Sequence, residues 1–136
     1  MIVLDASLLM AWLVTEELPS ADTGIYETFP HSVLLVPSHW PIEVSNALRS
    51  RMRAGQLSVA GFQTIIERFD LLTIDVQQPL ELDEVMPLAH FALSHNLTSY
   101  DAAYVQLALG RNAPLATLDR AMRTAAAKLN IPLLPV

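Results

Sequence analysis

No cysteine occurs among the 136 residues. A disulfide framework, a zinc-thiolate site and a cysteine nucleophile are thereby excluded, and the composition agrees with a reducing compartment. Lysine is nearly absent too, Lys128 being the single one. A phosphoryl-transfer protein of receiver or phosphatase type needs paired Asp beside a first strand and a lysine late in the sheet, so that class falls behind. No G-x-G-x-x-G or G-x-x-x-x-G-K-[ST] element is present, which removes nucleotide-cofactor and P-loop functions. The longest apolar run, Leu8 to Val14, falls far short of the roughly 20 residues of a membrane span. The N-terminus carries no basic segment, so no secretory signal is expected and the chain reads as soluble, cytoplasmic and not membrane-bound. Basic charge is in the minority, 8 Lys and Arg against 14 Asp and Glu for a net charge of -6. That argues against a broad surface gripping nucleic acid non-specifically. It does not argue against a nuclease, because cations bound among acids reverse the local sign.

What is present is an alternation of strands and helices. Met1 to Leu4, Val33 to Val36, Leu72 to Val76, Leu115 to Leu118 and Leu133 to Val136 read as short strands, mostly unbroken apolar runs. Helices are expected over Ala6 to Val14, Ser20 to Phe29, Ser38 to Gly55, Ser58 to Phe69, Leu80 to Asn96 with a kink at Pro87, Ser99 to Arg111, and Asp119 to Leu129. Ser99 is the expected cap of its helix and Asn96 a left-handed cap. Unbroken apolar strands alternating with helices imply an α/β domain with a parallel sheet covered on both faces. No repeat, linker or low-complexity tract divides the chain.

Ligands of such sheets bind beyond the carboxyl ends of the strands. Asp5 and Asp119 stand there; Glu43 and Asp101 stand in the first turns of helices. Each acid has a structural explanation of its own: Asp5 as a helix cap, Glu43 as a complement to a helix dipole, Asp101 as half of an ion pair in an apolar helix. No single one of these covers all four. Carboxylates gathered at one edge of a parallel sheet make a site for a divalent cation, and an oxygen-only set favours magnesium or manganese over zinc. Asp5, Asp101 and Asp119 are assigned to the metal, with Glu43 ligating or orienting water. Asn46, one turn after Glu43, is placed to bond a ligand or the Glu43 carboxylate, and Thr117 offers a hydroxyl beside Asp119.

Four segments carry a family resemblance: IVLDASLLMAWL at the start, PIEVSNAL around Glu43, LTSYDAAYVQLAL around Asp101 and LATLDRAMRTAAAKLNIPLL at the end. Together they resemble PIN-domain ribonucleases, specifically the VapC type of toxin from type II toxin-antitoxin systems, over essentially the full chain. The resemblance implies a single PIN domain over residues 1–136. Its architecture would be three-layered, with a central parallel sheet of four to five short strands flanked by about seven helices. It further implies endonucleolytic cleavage of RNA with magnesium or manganese at Asp5, Glu43, Asp101 and Asp119, a cognate antitoxin, and a homodimer. Ser7 and Thr117 match polar positions that assist the acids. His39-Trp40-Pro41 ahead of Glu43 departs from the family pattern, and PLELDEVMPLAHFALSHNL is generic. The competing reading is a non-catalytic PIN-fold module that binds protein.

The remaining chemistry-bearing residues have milder readings. His31, His39, His90 and His95 form no metal-binding pair and are assigned to the surface or to partner contacts. Arg49 and Arg53 share a helix face, suited to RNA phosphate, to an antitoxin carboxylate or to the helix's own dipole. Tyr100 and Tyr104, one turn apart, suit base stacking or core contacts. The helices Leu8 to Val14 and Phe62 to Phe69 are more apolar than a small monomer needs, which motivates the dimer.

Overall fold

The computed structural model describes residues 1–14 and 24–136. Five parallel strands form one sheet: β1 (Ile2–Leu4), β2 (Val33–Val36), β3 (Thr73–Val76), β4 (Leu115–Ala116) and β5 (Leu133–Leu134), in spatial order β3-β2-β1-β4-β5. Register is fixed by Val3 opposite both Leu35 and Leu115. Central strands are fully buried, as their unbroken apolar runs require, with Val3, Leu4, Leu34, Leu35, Leu115 and Ala116 all inaccessible.

Seven α-helices lie among the described residues: α1 (Ala6–Leu13), α2 (Gly24–Thr28), α3 (Trp40–Arg53), α4 (Val59–Phe69), α5 (Val85–Ser94), α6 (Ser99–Arg111) and α7 (Arg120–Lys128). Helix α1 packs on α3 and α4, whereas α6 packs on α5 and α7. Right-handed crossovers put these two groups on opposite faces of the sheet. The three-layer α/β arrangement expected from the sequence is therefore present.

Several local expectations need correction. Pro87 does not kink a long helix. A 3-10 turn, Leu82–Glu84, comes first and α5 begins at Val85, so Pro87 falls in the first turn, where proline is tolerated. The cap of α6 is Thr98, whose hydroxyl accepts from the Asp101 amide at 3.1 Å, instead of Ser99. Asn96 and Asn112 do adopt left-handed conformations after α5 and α6. Strand β3 is not covered on both faces: as the sheet's edge it leaves Thr73, Asp75 and Val76 exposed. The expected helix from Ser20 is seen only as Gly24–Thr28, its first residues lying outside the described ones.

Helix α1 is apolar on nearly every side because it is an interior helix. Leu8, Leu9, Met10 and Leu13 are all buried, and Arg68 of α4 closes its last turn by donating to the carbonyls of Trp12 and Leu13, satisfying acceptors the helix cannot satisfy itself. The apolarity of Leu8 to Val14 is thus used inside the chain and is no argument for a dimer. On α4, Val59, Phe62 and Ile66 remain exposed.

Candidate active site

The strand order reverses between β1, which leads to β2 and β3 on one side, and β4, which leads to β5 on the other. A parallel sheet opens a crevice at such a point, beyond its carboxyl ends. Asp5 follows β1 there, and Thr117 and Asp119 follow β4.

Asp5 is only 6% exposed and Thr117 is wholly buried. Their bond spans the switch point: the Thr117 hydroxyl donates to Asp5 Oδ2 at 2.8 Å, and the Ser7 hydroxyl donates to the same oxygen at 2.7 Å. A buried carboxylate is tolerable only when hydrogen-bonded, and these two hydroxyls supply that. Asp5 Oδ1 has only a long contact of 3.4 Å with the Ser7 amide, so it is the less committed oxygen. Asp119 is also a working cap, accepting from Met122 N at 2.9 Å, while its own amide donates to Thr117 Oγ1 at 3.0 Å. Capping and site placement therefore coincide in Asp5 and Asp119.

Helix α6 brings the third acid. Burial is the largest influence raising the Asp101 carboxyl above its ordinary value; the negative fields of Asp119 and Asp5 come next and Glu43 adds to them, with the Thr98 hydroxyl acting the other way. Asp101 thus senses all three other acids. Glu43, in the first turn of α3, is reached across the fold by Tyr104, whose hydroxyl donates to Oε1 at 2.6 Å. Tyr104 is wholly buried. Burial first, then the bond to Glu43, raises its phenol, which keeps it a proton donor.

Three residues at this site had weak signals in the sequence or none. His39, assigned to the surface or to partner contacts, places Nε2 3.3 Å from Glu43 Oε1, that atom being buried and with no aligned hydrogen-bond partner. Its ring packs edge-on against Tyr100 and Tyr104 at 5.6 and 5.5 Å. The available clue was its position one turn before Glu43. Tyr104 has a comparable clue, one turn after Asp101 on the same helix. Arg123 had none: its guanidinium donates to Thr117 O at 2.8 Å and Pro135 O at 2.9 Å, tying the last residues to the loop that carries Thr117 and Asp119. Replacing it, Arg123→Ala, is expected to lower stability by about 1.5–3 kcal/mol, the usual worth of a hydrogen bond to a charged group, as read by urea denaturation.

Asn46 is exposed, and the Glu43 carboxylate takes its hydroxyl partner from Tyr104 instead. His90 and His95 stay away from the acids, His95 packing on Phe91 at 4.6 Å. The four carboxylates do not close into a ready cage. Among the described residues, the one trio of potential ligand atoms within 4.8 Å of one another is Glu81, Asp83 and Glu84, all exposed, with Glu84 engaged in a capping box with Glu81.

Asp5 and Asp119 stand beyond the carboxyl ends of β1 and β4 and their fields reach Asp101; with no basic side chain bonded to any of the three among the described residues, they offer the oxygen donors that a hard divalent cation prefers. The family model of the PIN domain matches residues 2–128. The chain belongs to the PIN domain family. Among solved structures, the crystal structure of PAE2754 from Pyrobaculum aerophilum is similar, with a TM-score of 0.66 and 25% identity over 97% of this chain and 81% of that one. No curated protein matches the chain. PIN domains are in general metal-dependent nucleases that commonly bind RNA. No helix among the described residues is long and apolar enough to cross a membrane.

Proposed function

We infer that the chain, a single PIN domain over residues 1–136, is a magnesium- or manganese-dependent endoribonuclease of the VapC type, the cytoplasmic toxin of a toxin-antitoxin pair, and a homodimer. The observation that carries the nuclease reading is the placement of Asp5 and Asp119 beyond the carboxyl ends of β1 and β4, both bonded to Thr117, in a chain of this family. Asp5, Asp101 and Asp119 would hold the cation, with Glu43 ligating or orienting water. Bound there, the cation supplies Lewis-acid stabilisation of phosphodiester charge and acidifies a water.

The chain's own residues account for the remainder. Ser7 and Thr117 fix one oxygen of Asp5, which presents the other. Tyr104 holds one oxygen of Glu43 by its hydrogen bond, with the His39 ring nitrogen close by, leaving Oε2 to accept from a water. Thr98 anchors the amide of Asp101 at the start of α6. Purified protein is expected to cut structured RNA in magnesium or manganese, and excess EDTA should abolish the cut. Cleavage that persists in EDTA would overturn the metal-dependent reading. The toxin assignment draws on the sequence resemblance and predicts an upstream reading frame for a small protein with a DNA-binding N-terminus; an unrelated neighbour would count against it.

A further inference from the structure

A groove of about 650 Å³ opens beside the acids, sharing His39 with them and running along one face of α6. Ser99, Ala103, Gln106 and Gly110 recur on that face at helical spacing, from Tyr100 near the acids to Arg111 at the far end. At about 1.5 Å per residue the run is roughly 16 Å long. Its floor is apolar, with Leu88, Ala103 and Leu107. Its rim is polar and distinctive: Tyr100 is 67% exposed, Gln78 and Gln106 are exposed amides, and Arg111 donates to Gln77 Oε1 at 2.8 Å. Gln77 is itself tied back, its Nε2 donating to Asp75 O at 3.1 Å, so it serves to aim the guanidinium, which keeps further N–H donors free. The one carboxylate in the lining, Glu84, is occupied with the amide of Glu81 at 3.1 Å. In a chain of net charge -6, this face beside the acids is balanced in charge.

We propose that this groove is a subsite for unpaired nucleobases of the RNA strand flanking the cut, with Tyr100 as stacking platform, Gln78 and Gln106 bonding base edges, and Arg111 anchoring a phosphate. Unpaired RNA is recognised in this way, by aromatic faces for the bases and amide groups for their edges. An apolar protein segment would use the floor but would leave two free amides and an aimed guanidinium without partners, at a cost. The proposal rests on the nuclease reading and specifies which part of the substrate the protein grips. The cut would accordingly fall in a single-stranded stretch or loop.

The test uses fluorescein-labelled hexamers of oligo(U) and oligo(A), with anisotropy read in EDTA at fixed salt so that cleavage does not contribute. Tyr100→Ala is expected to weaken binding by about 5- to 150-fold, the usual effect of losing one base–aromatic stack, whereas Tyr100→Phe keeps the ring and should bind as wild type. Gln106→Ala, on an exposed position that cannot disturb the core, should weaken binding less. Arg111→Ala should reduce the salt slope by about 1. In manganese, Tyr100→Ala and Gln106→Ala should raise KM more than they lower kcat. If wild type cuts RNA while both alanine variants bind and turn over as wild type does, the groove proposal is overturned and the nuclease reading stands. If wild type neither binds nor cuts RNA, both are overturned. Variants that leave RNA affinity intact but change the mass seen by light scattering would assign the groove to a protein contact and overturn the proposal.

Discussion

Asp101→Asn and Asp119→Asn should each abolish cleavage, by more than about 100-fold, and at the same time erase the rise in melting temperature that magnesium or manganese gives the wild type. The first half follows from the proposed ligand set: even residues that merely orient metal ligands cost roughly 10- to 100-fold when lost. The second follows from linkage, because a cation at about 100 times its dissociation constant adds about 2.7 kcal/mol to a protein that binds it only when folded. In the apo protein Asp101→Asn should move stability the other way. Burial, then the fields of Asp119 and Asp5, raises the Asp101 carboxyl from 3.8, so the folded state holds a proton that the unfolded state has released. Its contribution is fully present below pH 3.8 and is lost as pH rises through the raised value. At neutral pH the Asn variant should therefore be the more stable apo protein, and the gap should close in acid.

Asn is the right replacement at Asp119, because it caps a helix about as well as Asp. The bond to Met122 N can survive the change, and the measurement then reads charge and not capping. A residue that only capped would keep the wild-type metal shift as Asn. Melts of wild type and both variants, with and without metal at pH 4 and pH 7, decide the matter; two variants with intact metal shifts would remove Asp101 and Asp119 from the ligand set.

How far the sequence alone could reach depended on whether a feature was local. Runs such as Val33 to Val36 became a strand of those bounds, because four consecutive apolar residues before a proline have few other uses. Asp5 and Asp119 were legible as strand-end acids for the same reason. Errors arose where neighbouring signals competed. Thr98 and Ser99 are both good caps, and the structure uses the first. Pro87 could kink a long helix or sit in the first turn of a shorter one, and the 3-10 turn at Leu82–Glu84 settles it. The exposure of β3 is set by its place at the sheet edge, which strand composition does not encode. Least legible of all were contacts between distant segments, such as Thr117 with Asp5 and Tyr104 with Glu43. No spacing rule pairs residues 112 or 61 positions apart.

The bond from Tyr104 to Glu43 leads to the other large expected effect. Tyr104→Phe keeps the ring that fills the core and removes only the hydroxyl. Wild-type Glu43 Oε1 has that hydroxyl at 2.6 Å and the His39 ring nitrogen at 3.3 Å; the variant retains only the second, which is not aligned as a hydrogen bond. A half-buried carboxylate held by one weak contact samples more orientations, and its proposed share in the metal site should fall with its order. The expected result is a drop of about 10- to 100-fold in manganese affinity by isothermal titration, with a matching loss in cleavage at subsaturating metal. Folding should lose a comparable amount, about 1.5–3 kcal/mol for a hydrogen bond to a charged group. Adding manganese should recover much of the lost activity if the phenol acts by positioning Glu43, since saturating metal compensates for weakened affinity but not for a missing reactive group. A Tyr104→Phe protein that binds manganese as tightly as wild type would reduce the residue to core packing and would take Glu43 out of the metal site with it.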